Sequence, residues 1–291
     1  MAIHRKLINK YKPEGERGFL GAGHLARPVI QVGYRESDPF ILLMDDMLDK
    51  KDSEPVGGPH PHAGFETVTL LIEGELGDGK HKMKDGDLQQ MTAGSGIIHT
   101  ETIEKKARLR LLQLWLALPK KDRWTAPRVQ DLRLEAVPVS SVDGAQTRVY
   151  SGNFAGVQSP LLNYTKIIIA DINIKPGGEF KQQLPAGFTT FMYVIDGDLK
   201  IGEDERLLTK DEVGWLDRFD HDQEQSIVQL KGGEKGARII LYAGEPQHDE
   251  IVSHGPFIGD SSEDIQRLYQ EYRQQKMIHI NDVAPGQQII Y

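Results

Sequence analysis

Apolar and polar positions alternate along most of this chain in short runs rich in β-branched, aromatic and aliphatic residues, each closed by Gly, Asp, Asn or Pro. That period of two is the pattern of strands. Candidate strands run from Pro28 to Val32, Phe40 to Met44, Phe65 to Ile72, Leu88 to Thr92, Leu109 to Leu118, Lys166 to Ile174, Thr190 to Ile195, Ile227 to Leu230 and Ala237 to Tyr242. Their spacing, about ten residues, fits a sandwich or barrel. One helix is predicted, Ser262 to Lys276. There Ile265, Leu268, Tyr269 and Tyr272 form an apolar stripe at helical spacing, and Ser261 with Asp264 makes a capping-box start. The stripe should lie against a barrel, with Arg267, Glu271 and Arg273 on a solvated face.

Sliding the chain against itself exposes a repeat. Gly64 to Leu76 (GFETVTLLIEGEL) matches Gly187 to Leu199 (GFTTFMYVIDGDL) without a gap, 123 residues on. Both copies read as a strand followed by an acidic-Gly-acidic turn, so two similar domains are expected. The boundary should lie in the less regular segment flanked by Pro127 and Pro138, which gives domains at 1–132 and 133–291, the second ending in the helix. Opposite His60, His62 and Glu66 of the first copy stand Gln183, Pro185 and Thr189 of the second. The fold is kept and the chemistry is not.

Composition narrows the function. With no cysteine, disulfides, thiolate metal sites and cysteine nucleophiles are excluded. Acidic residues number 43 against 35 Lys and Arg, for a net charge of -8, and no long basic tract occurs, so direct nucleic-acid binding lacks its electrostatic footprint. Met1 to Lys12 lacks the apolar core of a signal peptide, and no apolar run approaches membrane-spanning length. A soluble, cytoplasmic protein without membrane contact is expected.

Two short runs carry the candidate chemistry, His60-Pro61-His62 before a strand and His99-Thr100-Glu101 after the glycine-rich Ala93-Gly94-Ser95-Gly96. In extended chain, residues i and i+2 point to one face with Cα atoms roughly 6 to 7 Å apart, so each run can aim two side chains at one point. Three imidazoles and a carboxylate leave open positions on an octahedral Fe, Mn, Co or Ni ion, the coordination of a catalytic site. His-x-His alone is weak, arising by chance about 0.3 times in a chain of this composition. The second same-face pair and the loss of the first-run ligands from the repeat strengthen it. For the carboxylate, geometry leaves two candidates. Glu101 needs no special bend, whereas Glu66, four residues beyond His62, reaches the same ion only if the chain turns sharply at Ala63-Gly64. His81, in a glycine-rich turn, reads as an exposed loop histidine, and Trp115, Trp124 and Trp215 as core.

His-x-His followed by x3-Glu, with a later Gly-x-Gly-x2-His, resembles the two motifs of the cupin superfamily. Pro59 to Thr69 (PHPHAGFETVT), Gly86 to Glu101 (GDLQQMTAGSGIIHTE), Leu112 to Pro119 (LQLWLALP) and Gly255-Pro256-Phe257 are similar to the pirin family through nearly the whole chain. The resemblance implies an all-β fold of two tandem cupin β-barrels, a bicupin, with a short C-terminal helix. It implies one metal, in the first barrel only: iron as Fe2+, with Mn, Co, Ni, Cu or Zn as other metals that could be loaded. The ligands it implies are His60, His62, His99 and Glu101, which leaves Glu66 as a partner or base beside the metal. Two functions follow from it. One is quercetin 2,3-dioxygenase activity, in which a flavonol-like substrate binds through its deprotonated hydroxyl, O2 adds and carbon monoxide leaves, with Glu101 or Glu66 taking the proton. The alternative is a metal-dependent transcriptional co-regulator that binds a protein partner without turnover. Gln90, where the family frequently has Trp, and a short Leu76 to Met83 connection are departures that bear on substrate range.

Overall fold

Two β-barrels of the cupin type account for most of the structure, a computed structural model that describes residues 3–77, 79–103, 106–142, 144–219 and 225–291. The chain divides into two units. One comprises Glu14–Ile30, Phe40–Ala136 and Gln247–Tyr291, the other Met1–Pro13, Gln31–Pro39 and Val137–Pro246.

The unit containing the first repeat is built on an eight-stranded sheet. Its order is Gln288–Ile290, Arg128–Leu132, Leu88–Thr92, Phe65–Glu73, Ala107–Ala117, Phe40–Lys50, His24–Pro28 and Glu16–Arg17. Phe65–Glu73 is central and buried from Phe65 through Leu71, as a strand covered on both faces must be. Side chains alternate, so Phe65, Thr67, Thr69 and Leu71 share one face and Glu66, Val68 and Leu70 the other. The strand predicted at Pro28 to Val32 lies earlier, at His24–Pro28, with one further bond from the Val29 N–H to the Leu43 carbonyl at 2.8 Å. A three-stranded sheet joins Ile278–His279, Ile97–His99 and His60–His62.

The unit containing the second repeat is organised by one strand of 20 residues, Gln225–Gly244. It absorbs the two strands predicted at Ile227 to Leu230 and Ala237 to Tyr242, and it pairs with Ile167–Ile174, Glu179–Pro185 and Thr189–Ile201. Phe191 lies opposite both Tyr242 and Trp215 on the adjoining strands. Its ring stacks on Tyr242 at 4.9 Å and leans on Trp215 at 4.6 Å, each such pair adding about 1 kcal/mol beyond the area it buries.

Between Ala136 and Val137 the chain crosses from one unit to the other, and its two ends lie in units that also contain distant segments. Leu7–Tyr11 pairs with Val213–Leu216, so the N-terminal segment belongs with the second repeat. Ile278–His279 runs parallel to Ile97–Ile98, and Gln288–Ile290 parallel to Val129–Asp131. The helix, Ser262–Arg273, three residues shorter than predicted, likewise belongs with the first repeat. Ser261 Oγ accepts the Asp264 N–H at 3.2 Å, and Ile265 and Leu268 pack with Ala63, Phe257 and Met277. Arg267, expected on a solvated face, stacks over Trp124 at 4.4 Å. No described helix is long and apolar enough to cross a membrane.

Arg5 anchors the N-terminal segment. It is 1% exposed and donates to Ser226 Oγ at 2.9 Å and to the Pro185 and Phe188 carbonyls at 3.1 and 2.8 Å. Burial holds its pKa down to about 10. Arg5→Ala strands those buried acceptors and should cost about 3 kcal/mol. Chemical denaturation should show that loss, with no change in the metal content of the first barrel.

Candidate metal centre

The pairing of His60–His62 with Ile97–His99 is antiparallel, with His60 opposite His99 and His62 opposite Ile97. Extended geometry turns His60 and His62 to one face, and the register brings His99 to meet them. One ring nitrogen from each of the three lies within 4.8 Å of the other two. His60 Nε2 and His99 Nε2 stand 2.7 Å apart. His60 Nδ1 faces the Gly58 carbonyl at 3.0 Å, so that nitrogen carries the proton and Nε2 presents its lone pair. The buried His62 ring meets the Pro256 backbone carbonyl, a hydrogen-bond acceptor.

Burial, with His60 adding to it, drives the His62 pKa down to about 3, and burial with its histidine neighbours holds His99 well below the ordinary value. Both are therefore neutral imidazoles, the ligating form. Three ring nitrogens that converge with no compensating charge between them are what a divalent cation would satisfy. The donor set fits Fe, Ni, Cu or Zn.

Glu101 follows His99 by two residues, its N–H bonded to the Gly57 carbonyl at 3.2 Å. Its carboxylate is outside the set of mutually close ligand atoms and makes no hydrogen bond or ion pair among the described residues. Desolvation, reinforced by Asp46, pushes its pKa up to about 7.

Glu66 does not share this site. The chain does turn at Gly64, where φ is +86° and a Cβ would fall 1.9 Å from the Ile258 carbonyl oxygen. That turn restarts the alternation so that Phe65 faces the histidines, its ring 5.2 Å from His62, and Glu66 points to the opposite face of the sheet. There it is fully buried and accepts the Thr92 hydroxyl at 2.6 Å. Its assignment as a base beside the metal is corrected accordingly. Gln90, on the strand position facing Val68, shares that opposite face.

His81, expected to be exposed, is 3% exposed. Asp131, on a strand distant in sequence, meets its Nδ1 at 2.7 Å, and Gln89 donates to the same carboxylate at 2.8 Å. Trp115 is half-buried and meets the His62 ring edge-on at 5.3 Å. His279 completes the surroundings, its Nε2 3.2 Å from Thr100 Oγ1. Nothing local in the sequence marks Trp115 or His279, because each arrives through a strand pairing.

Comparison with known proteins identifies the relatives of this arrangement. The family model described as Pirin matches residues 24–116, and that described as the Pirin C-terminal cupin domain matches residues 169–278. Mouse pirin is 36% identical over 288 residues, which cover 95% of each chain. A crystal structure of a quercetin 2,3-dioxygenase from Acinetobacter baumannii superposes with a TM-score of 0.81 at 25% identity, over 94% of this chain and 98% of that one. A pirin from Escherichia coli in complex with nickel(II) shares the fold, with a TM-score of 0.61 at 18% identity over 82% and 99% of the chains.

Glu66→Gln separates the two faces of the sheet. It should retain the full metal complement by elemental analysis, whereas His62→Ala should lose it. Burial raises the Glu66 pKa above its ordinary 4.5, so the folded state holds this proton more tightly than the unfolded chain. The stability this contributes is complete below pH 4.5 and is lost as pH rises toward the folded value. Thermal midpoints of Glu66→Gln should thus gain on wild type as pH rises from 4.5 toward neutrality. The opposite trend would place an ionised, well-paired carboxylate at this position.

Proposed function

Because this chain belongs to the pirin family, we propose that it is a metal-dependent dioxygenase that opens the heterocycle of a flavonol, with quercetin as model substrate and O2 as co-substrate. The observation that carries this reading is the convergence of three neutral imidazole nitrogens within 4.8 Å of one another. In this reading His60, His62 and His99, with Glu101, hold one divalent ion, iron foremost and Mn, Co, Ni, Cu or Zn as the other candidates. The ion would supply Lewis acidity toward the flavonol oxygens and an open position for O2.

The chain's own residues do the rest. Glu101, the carboxylate two residues beyond His99, would take the proton of the flavonol hydroxyl. Phe65 and Trp115 pack on each other at 4.3 Å and both flank His62. Half-buried Trp115 offers an apolar surface for an aromatic ring, and fully buried Phe65 behind it keeps water from the reacting atoms. Ring opening puts both atoms of O2 into the organic product and releases carbon monoxide.

A second reading, metal-dependent regulation through a protein partner, draws on a groove of about 960 Å³ running past Thr100 and Thr102. Lys82, Lys84, Lys106, Arg108 and Arg133 line it against three acids, a local positive surface on an acidic chain and suited to an acidic partner.

Iron-loaded protein should consume O2 with quercetin in a saturable reaction and release carbon monoxide. Glu101→Gln should lower kcat by about 10² to 10⁴. Full metal occupancy with no O2 uptake across several flavonols would exclude the enzyme. Metal-dependent binding of an acidic peptide, weakened by Lys106→Glu, would then favour the regulatory reading.

A further inference from the structure

The second barrel keeps a cavity where the first has its histidines. Gln183 and Pro185, which align with His60 and His62 in the repeat, line an opening of about 550 Å³. That size and position, the mouth of a β-barrel, are those of small-molecule sites. We propose that this cavity is a metal-free binding site for a neutral, polyhydroxylated small molecule.

Its polar lining is carboxamide. The side chains of Asn153, Gln182 and Gln183 make no hydrogen bond among the described residues. Asn163 gives its Nδ2 to Ser151 Oγ at 2.8 Å, and its Oδ1 is shut off from solvent without a partner. A carboxamide sets an acceptor beside two donors, and a pair of neighbouring hydroxyls supplies the complement. Imidazole and carboxylate ligands for a cation are missing from the described lining. Lys166, the one cation among those residues, is held by Glu245 at 2.9 Å, so the cavity offers little net attraction to an anion.

The remaining surface is apolar. Half-buried Phe188 gives a face against which the C–H side of a sugar or cyclitol ring can lie. The wall is held in advance, because buried Arg5 Nη2 donates to the Pro185 and Phe188 carbonyls. A site fixed before binding loses less freedom when it closes on a ligand.

Saturation-transfer-difference NMR on the full, metal-loaded chain tests this, with D-glucose, D-xylose and myo-inositol as probes and citrate as the charged control. At least one neutral probe should bind. Its affinity should fall about tenfold in Gln182→Leu and in Asn153→Ala, the loss of roughly one hydrogen-bonded contact, and be unchanged in His62→Ala. Asn153 is exposed, so its variant reports on binding even if Gln182→Leu is poorly folded by circular dichroism. The proposal is overturned if none of the three probes binds, if binding survives both cavity variants, if His62→Ala abolishes it, or if citrate binds in preference.

Discussion

The antiparallel pairing of two three-residue strands, His60–His62 with Ile97–His99, governs the first barrel's mouth. A slip of one residue would turn His99 to the opposite face and dissolve the cluster. Such short strands cannot hold a register alone. Neighbouring bonds fix it: Gly64 N–H to the Gly94 carbonyl at 2.7 Å, the Val56 and Ile103 bridge, and Ile278–His279 alongside Ile97–Ile98. The strain of the arrangement is electrostatic. Two ring nitrogens 2.7 Å apart among buried, neutral imidazoles cost free energy in a folded chain, and a bound cation is what would return it.

The duplicated barrels show how little of that constraint belongs to the fold itself. Both repeats carry the same strand and acidic-Gly-acidic turn, and both keep a covered central strand. What differs is the strand ahead of it, where Gln183 and Pro185 replace His60 and His62, and one position of the central strand, where Thr189 replaces Glu66. Imidazoles there require a register that brings partners from a second strand. Amides do not, since each can meet a ligand by itself. The second barrel is accordingly free to rely on packing, as its Phe191, Trp215 and Tyr242 stack does.

Much of this was legible in the sequence, for reasons that mark where legibility ends. His60 and His62 were readable as a pair because i and i+2 share a face in any extended chain. The repeat was readable because duplication preserves apolar spacing. Glu66 was misplaced because distance along a strand says nothing about which face a residue takes after a turn, and Gly64 restarts the alternation. His81 looked exposed because its partner, Asp131, lies 50 residues away in the chain. The terminal segments were assigned to the halves that contain them, since strand pairing across such separations leaves no local signal.

Those terminal segments bear on how the protein is made. Ile278–His279 and Gln288–Ile290 complete the sheets around the first repeat, so that unit cannot close until the ribosome has made these strands. The second-repeat unit needs nothing beyond Pro246 and is finished earlier, although its sequence comes later. Vectorial synthesis thus reverses the apparent order of folding. The unit that carries the histidine cluster therefore closes after the second-repeat unit.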